Sequence, residues 1–261
     1  MAKKLLYVYC ATRGSVPPGT LAKLPPMPDA DKPRLLPIAD TLSLVVADVP
    51  AESYQAAAIE ARLGDLDWVA RCGAAHHGVI EALGRKRGVV PFRLFTLFSS
   101  AARARSTLAR KARRIADALD KVTAKREWAL KISKPDPALT AARNAADSPA
   151  PPQATGTSFL QRKAAAKQAA REASDRVRGA AADLFDRLAE IAEEATFRSV
   201  SDTPSLLLDA AFLVDVRRHA QFKRALTDAA ATLLEDGCRV SLTGPWPPYS
   251  FVTLETGPSH V

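Results

Sequence analysis

Apolar positions along the chain follow two spacings, and the changes between them divide the first half of the sequence into strands and helices. Short apolar runs bounded by Gly, Pro or Asp predict strands at 5–11, 35–38, 42–49 and 89–98. Between Leu66 and Leu83, apolar residues recur every three or four positions, which predicts an amphipathic helix. The composition of 101–123 predicts another helix, and a shorter one is expected over 51–63. We therefore expect an α+β domain over residues 1–125.

The second half shows the same two patterns in a more regular succession. Strands are predicted at 128–132, 197–200, 206–214 and 239–242, and helices at 158–196 and 217–234. In the longer helix, apolar residues from Val177 to Ala195 step alternately by four and three positions, which is the spacing of a coiled-coil seam. The resulting β-α-β-β-α-β order is that of ferredoxin-like sheets. We expect a C-terminal α+β domain over 126–261, with a mobile loop rich in Pro and Ala at 133–155.

Composition narrows the class of protein but not its function. The chain has 261 residues and a formal net charge of +9, which is compatible with nucleic acid, an anionic surface or an acidic partner. No run of about eighteen apolar residues is present, so no membrane-spanning helix is expected. Three scattered cysteines, Cys10, Cys72 and Cys238, indicate a reducing compartment rather than a disulfide framework.

The residue types that carry catalysis do not occur in the required patterns. The sequence has no glycine-rich phosphate loop, no nucleophile elbow and no paired cysteine motif. Cys72 and His76 share one helix face, but both fall on its apolar stripe, and structural zinc needs four ligands. The carboxylates of the long helix, from Asp183 to Glu194, are interpreted as a solvated face. We expect no enzyme activity, no cofactor and no metal.

Two basic features leave alternatives open. The helix at 101–123 carries seven cations, from Arg103 to Lys121, and could bind nucleic acid, although the Gly and aromatic pattern of RNA-binding sheets is missing. Arg93 is the one charge in an apolar strand, so it either pairs with a carboxylate or emerges at a surface.

The segment 243–252, Thr-Gly-Pro-Trp-Pro-Pro-Tyr-Ser-Phe-Val, combines three prolines with three aromatic residues. Proline stiffens the backbone and removes hydrogen-bond donors, so we expect this segment to break regular structure. Trp246, Tyr249 and Phe251 either plug the end of a sheet or form a rigid recognition surface that loses little entropy on binding.

This segment, together with 209–214 (Asp-Ala-Ala-Phe-Leu-Val), resembles the C-terminal signature of the GvpL/GvpF family of gas vesicle proteins. Further stretches match the family in order: 7–10 (Tyr-Val-Tyr-Cys), Trp68 with His76 and 81–83, 90–98 (Val-Pro-Phe-Arg-Leu-Phe-Thr-Leu-Phe), 127–131 (Glu-Trp-Ala-Leu-Lys) and 156–163 (Gly-Thr-Ser-Phe-Leu-Gln-Arg-Lys). One departure is Phe95, which stands where the family usually has Gly, a residue suited to positive φ.

The resemblance implies a modified ferredoxin-like N-terminal domain and an α+β C-terminal domain. It also implies a non-catalytic accessory protein of gas vesicle assembly, located at the gas vesicle within the cytoplasm. Its expected partners are the hydrophobic shell protein and other accessory proteins, with no nucleic acid and no membrane. We assign partner binding to Arg93, Trp246, Tyr249 and Phe251.

Overall fold

The computed structural model describes residues 3–134, 156–198 and 205–252, without the side chains of 18 and 156–159. Within these ranges the chain is a mixture of helices and two antiparallel sheets that form two compact units. Unit 1 comprises Met1–Arg126 and Trp246–Val261, and unit 2 comprises Glu127–Pro245, each as far as its residues are described. The C-terminal segment therefore groups with unit 1, whereas a division of the chain near residue 125 would place it in the second domain.

Unit 1 is built on an antiparallel sheet with the strand order β2-β3-β1-β4, in which β5 also pairs with β1. Its strands are β1 (Lys4–Arg13), β2 (Arg34–Ala39), β3 (Leu42–Pro50), β4 (Val89–Pro91) and β5 (Leu97–Phe98). Its helices are α1 (Pro18–Leu21), α2 (Ala51–Tyr54), α3 (Ala56–Arg62), α4 (Leu66–Gly84), α5 (Ala101–Ala109) and α6 (Ala112–Val122). The strands predicted at 35–38 and 42–49 are confirmed as β2 and β3, which pair as an antiparallel hairpin around Asp40.

Both faces of this sheet are covered by apolar side chains. One cluster joins Tyr7 and Tyr9 of β1 to the buried face of α4, and a second joins Leu6 and Val8 to α5 and α6. Burial on both faces explains why β1 reads as a continuous apolar run rather than an alternating one.

The prediction of one uninterrupted strand over 89–98 is wrong. The chain pairs with β1 at both ends, but between β4 and β5 it makes a turn in which Phe95 adopts a φ of 63°. The Arg93 carbonyl accepts hydrogen bonds from the backbone N–H of Thr96 at 3.2 Å and from its hydroxyl at 2.8 Å. These local bonds replace the strand ladder, so apolar composition alone could not reveal the break.

The elements of unit 2 are β6 (Lys125–Ser133), α7 (Gly156–Ala189), β7 (Glu194–Phe197), β8 (Leu206–Asp215), α8 (His219–Ala229), α9 (Ala231–Glu235) and β9 (Arg239–Trp246). The first two residues of β6 and the last residue of β9 group with unit 1. The strand order is β7-β8-β6-β9. The second half of α7 packs through the predicted seam, since Val177, Ala181, Leu184 and Leu188 are buried against Phe212 and Phe222. The first half, by contrast, is exposed from Leu160 to Glu172.

Four boundaries in the chain differ from the predictions. The basic helix is divided at Arg110 and Lys111 into α5 and α6, and α7 ends at Ala189, before the predicted Thr196. The strand expected at 197–200 lies earlier, at β7, and 199–200 fall outside the described residues. The strand β9 continues through Gly244 and Pro245 to Trp246, which is tolerated because β9 is an edge strand. Most of the predicted mobile loop, 135–155, also lies outside the described residues.

Candidate docking surface

The C-terminal segment, residues 246–252, carries two exposed aromatic side chains, and the buried residues between and after them hold it in unit 1. Pro247 and Pro248 are buried, and the backbone N–H groups of Tyr249 and Phe251 donate to their carbonyls at 2.8 and 3.3 Å. Lys121 Nζ donates to the Phe251 carbonyl at 3.2 Å, and Val252 packs into the cluster beneath α5 and α6. Phe251 is only 7% exposed, so its ring anchors the segment and does not lie on the surface.

Trp246 and Tyr249 remain at the surface, 38% and 39% exposed, and both contact the imidazole of His77. The ring centroid of His77 lies 5.5 Å from that of Trp246 and 6.1 Å from that of Tyr249. The Tyr249 hydroxyl and His77 Nδ1 are joined by a hydrogen bond of 3.0 Å. We call these three residues the aromatic patch.

The position of His77 follows from the way α4 begins and packs. The side chain of Asp65 caps the helix by accepting the N–H of Trp68 at 3.0 Å. With that start, the apolar stripe directs His76 into the core, and His77, one residue later, points about 100° away towards the surface. On the outer face, His77 Nε2 lies 3.7 Å from Oε2 of Glu81. Arg85, which donates to Glu81 at 2.6 Å, lowers the pKa of that carboxyl, and His77 lowers it further.

His76 is a buried histidine whose two ring nitrogens both have partners. The Tyr7 hydroxyl lies 2.7 Å from its Nδ1, and its Nε2 lies 3.0 Å from the Phe92 carbonyl. These contacts are both satisfied when Nε2 carries the proton and donates to Phe92, while Tyr7 donates to Nδ1. Burial lowers the pKa of His76 to about 4, and because both ring nitrogens are engaged, neither is available to a metal.

Arg93 does not form the buried ion pair that was one of its two interpretations. Its side chain is exposed at the start of the 93–96 turn, directly after the carbonyl that His76 holds. Helix α4 therefore supports both features, through His76 for the turn and through His77 for the aromatic patch. The structure brings Trp246 and Tyr249 together on one histidine, whereas Arg93 lies on a different element and Phe251 is buried.

The turn is held from a second side by stacked aromatic rings. Phe95 lies parallel to Trp68 of α4, with ring centroids 5.4 Å apart and planes inclined by 7°. The guanidinium of Arg62 lies over the Trp68 ring, 4.3 Å from its centroid. This stack offsets the cost of positive φ at a bulky residue, which Gly would not incur.

The remaining candidate features are surface groups. The carboxylates Asp183, Asp186, Glu190, Glu193 and Glu194 are exposed, as predicted. In the part of the chain that the structure describes, no three His, Cys, Asp or Glu side chains form a group that could hold a metal. Within the same residues, no helix is both long and apolar enough to cross a membrane.

Sequence reasoning missed the role of His77. It lies 172 residues from Tyr249 in the chain, so no local spacing signals their contact. The sequence shows only that His77 is a polar residue beside the apolar stripe of α4. Many solvated side chains have the same pattern, so it does not single out His77.

Comparisons with known proteins agree along the length of the chain. The family model described as "Gas vesicle synthesis protein GvpL/GvpF" matches residues 5–253. The "Gas vesicle protein L" of Streptomyces sp. (strain CB03234) is 33% identical over 98% of this chain and 96% of its own length. The "Gas vesicle protein F1" of Halobacterium salinarum (strain ATCC 700922 / JCM 11081 / NRC-1) is 32% identical over 29% of this chain and 34% of its own.

Two crystal structures share the fold. The gas vesicle protein GvpF from Anabaena sp. PCC7120 has a TM-score of 0.68 and 16% identity, and the match covers 99% of both chains. GvpF from Microcystis aeruginosa has a TM-score of 0.65 and 16% identity, over 96% of this chain and 99% of that one.

Proposed function

The chain belongs to the GvpL/GvpF family of gas vesicle synthesis proteins, and from that premise we propose that it is a non-catalytic accessory protein that binds the hydrophobic shell protein. Membership in the family gives it a role in gas vesicle formation. Binding the shell subunit, together with other accessory proteins, is the finer proposal, and it places the protein at the gas vesicle within the cytoplasm.

The aromatic patch is the observation that carries this proposal. Trp246 and Tyr249 each expose more than a third of their surface, yet His77 contacts both rings, and the buried Pro247 and Pro248 hold the backbone between them. Aromatic side chains on a fixed segment contribute large contact areas while losing little conformational entropy on binding. An apolar subunit needs such a partner, because its strands aggregate when they are left exposed.

Arg93 supplies a second element of the proposed surface. It is exposed on a turn whose backbone is fixed by His76 and by the Phe95 stack, so the side chain projects from a defined point of the backbone. Arginine is enriched in binding hot spots, as are Trp and Tyr. We propose that Arg93 contributes polar contacts, and that Phe251 acts only by holding Trp246 and Tyr249 in position.

We propose that unit 1 is a modified ferredoxin-like domain and that unit 2 is an α+β domain with a related sheet. In support, the first strand of each unit lies between the third and the fourth, because the orders are β2-β3-β1-β4 and β7-β8-β6-β9. The modification in unit 1 is the short α1 between β1 and β2, where unit 2 carries the long α7.

Nucleic-acid binding through α5 and α6 remains the alternative function. Their exposed arginines, Arg103, Arg110, Arg113 and Arg114, would suit phosphates. Stacking of bases on the sheet is less well supported, because Tyr7 and Tyr9 are fully buried beneath α4. A gel shift at low and moderate salt separates the two functions, since phosphate binding weakens steeply with salt.

Co-expression with the shell protein and pull-down tests the proposal. We expect the double variant Trp246→Ala/Tyr249→Ala to lower the recovered complex about tenfold, because two central aromatic contacts are lost. Leu66→Ala is the matched control, since this leucine of unit 1 is 77% exposed and lies outside the patch. No complex with the unaltered chain, while both partners are folded, would refute shell binding. Equal losses in both variants would refute the role of the patch.

A further inference from the structure

A second surface with the properties of a binding groove lies in unit 2, between the long helix α7 and the edge of the sheet. An open cavity of about 340 Å³ occurs there, which is at the lower end of the range for ligand sites. Its apolar lining consists of Ala181, Ala182, Phe185, Phe197, Leu207 and Leu208. All of these residues belong to unit 2, so the groove shares no residue with the aromatic patch of unit 1.

Phe197 forms one wall of this groove and is unusually exposed. Its ring stacks on Phe185 of α7, with centroids 4.3 Å apart, and Phe185 in turn contacts the buried Phe212 at 5.4 Å. Phe197 nevertheless remains 64% exposed. An aromatic side chain that is oriented by the core and still faces solvent offers apolar area to a partner at low entropic cost.

The strand that carries Phe197 is an edge strand with main-chain groups directed outwards. In the sheet order β7-β8-β6-β9, β7 pairs with β8 on one side. The register pairs Glu194 with Leu213 and Phe197 with Ala210, and the N–H of Arg198 donates to the Asp209 carbonyl at 2.8 Å. Because hydrogen-bonded residues alternate along an antiparallel pair, the N–H and C=O groups of Ala195 and Phe197 point away from β8.

Charge decides which kind of segment can occupy the groove. Its charged lining residues are Arg178 and Asp186, which offset each other. Arg178 is also 3.6 Å from Asp175, and Arg198, at the end of β7, is 3.9 Å from Asp209. With its charges balanced, the groove complements an uncharged segment and provides no excess of cations for a phosphate or an acidic peptide.

From these observations we infer that the groove between α7 and β7 binds an extended, uncharged, apolar segment of a partner polypeptide as an added strand. The segment pairs with the outward main-chain groups of Ala195 and Phe197, and alternate side chains pack against Phe197 and Phe185 at the mouth of the cavity. Main-chain bonds then provide affinity, and the apolar cavity selects the side chains. The inference extends beyond the proposed function, since it requires only a strand-forming partner.

A peptide-binding experiment on the full chain tests this inference. The probe is a labelled, acetylated and amidated peptide of about ten alternating Val and Thr residues, the length of a typical long strand. Fluorescence anisotropy is measured with the unaltered chain, with Phe197→Asp and with Leu234→Asp. The control residue Leu234 is 55% exposed on α9 of the same unit and does not line the groove. We expect Phe197→Asp to weaken binding about tenfold or more and Leu234→Asp to leave it within about twofold.

A second probe isolates the main-chain contribution. Methylating alternate backbone nitrogens of the same peptide removes the donors on one strand edge but keeps every side chain, so this form should fail to bind. Equal affinity for both peptides, no binding of the unmodified peptide, or equal loss in both variants would overturn the inference. It would also be overturned if sedimentation showed a dimer that Phe197→Asp dissociates, because a second copy would then fill the groove.

Discussion

Each unit stacks a phenylalanine at its sheet edge on an aromatic side chain of its main helix, yet one stack is closed and the other is open. In unit 1, Phe95 is partly buried and lies on Trp68, which is 1% exposed and carries the Arg62 guanidinium over its ring. In unit 2, Phe197 lies on Phe185 but is 64% exposed beside a cavity. The closed stack stabilises a turn with positive φ, whereas the open one leaves apolar area exposed to solvent. Similar ring geometry therefore supports the fold in one unit and leaves an aromatic surface in the other.

The two units also differ in charge. Unit 1 contains 21 Lys and Arg against 12 Asp and Glu, and unit 2 contains 16 of each, so the whole net charge of +9 belongs to unit 1. The sequence total could not distinguish a uniformly basic protein from one basic half and one neutral half. Partners that differ in charge are thus expected to prefer different units.

The largest expected effect is the loss of the closed stack. Trp68→Ala removes a fully buried ring, together with its contacts to Phe95 and Tyr54, and should lower the free energy of unfolding by about 3–5 kcal/mol. Phe197→Ala, in the open stack, should lower it by less than about 1 kcal/mol, because most of that ring is already solvated. Urea denaturation of both variants measures the difference. If both variants lost the same free energy of unfolding, the two stacks would contribute equally to stability despite their different exposure.

The next effect is a dependence of stability on pH that arises from His76 in unit 1. The pKa of His76 is about 4 in the folded chain and 6.5 by its ordinary value, so the unfolded state binds more protons between these limits. The contribution of His76 to stability is therefore fully present above about pH 6.5. It decreases as the pH falls towards 4, by about 3 kcal/mol for a shift of this size.

The measurement is urea denaturation between pH 7 and pH 4 for the unaltered chain, His76→Gln and His77→Gln. Between pH 7 and pH 4, His76 contributes a slope to the plot of the free energy of unfolding against pH. We expect this slope to disappear in His76→Gln. His77→Gln should keep most of that slope, because burial is the largest cause of the lowered pKa of His76 and the charge of His77 is a smaller one. A slope that is unchanged in His76→Gln would show that carboxylates alone account for the pH dependence.

Several elements could be predicted because their signal is local. Helix α4 was expected over 66–83 and is found at Leu66–Gly84, since its apolar stripe and the Asp65 cap lie within a few turns. The paired strands β2 and β3 were likewise marked by short apolar runs around Asp40.

Other features depend on contacts between distant parts of the chain and had no local signal. The contact of His77 with Tyr249 spans 172 residues, and the exposure of Phe197 depends on where β7 lies in its sheet. The break at Phe95 could be predicted in part. The departure from Gly marked the position as unusual, but the sequence could not tell whether the backbone had become regular or had kept positive φ. The structure shows that φ is positive and that Trp68 holds the ring.

The smallest expected effect separates the conformation of Phe95 from its side chain. Both Phe95→Ala and Phe95→Gly remove the ring from Trp68, so both should lose the stacking contribution equally. They differ in the backbone, because φ at this position is 63°, where Gly is free of the clash that a Cβ atom meets. We therefore expect Phe95→Gly to be more stable than Phe95→Ala by about 1 kcal/mol in urea denaturation. The same pair of substitutions at Phe197, which is not among the residues with positive φ, should give the opposite order, since Gly in a strand is less stable than Ala. If Ala were the more stable replacement at both positions, the turn would have relaxed to negative φ once the ring was lost. The closed stack would then be the cause of the positive φ at this turn and not a compensation for it.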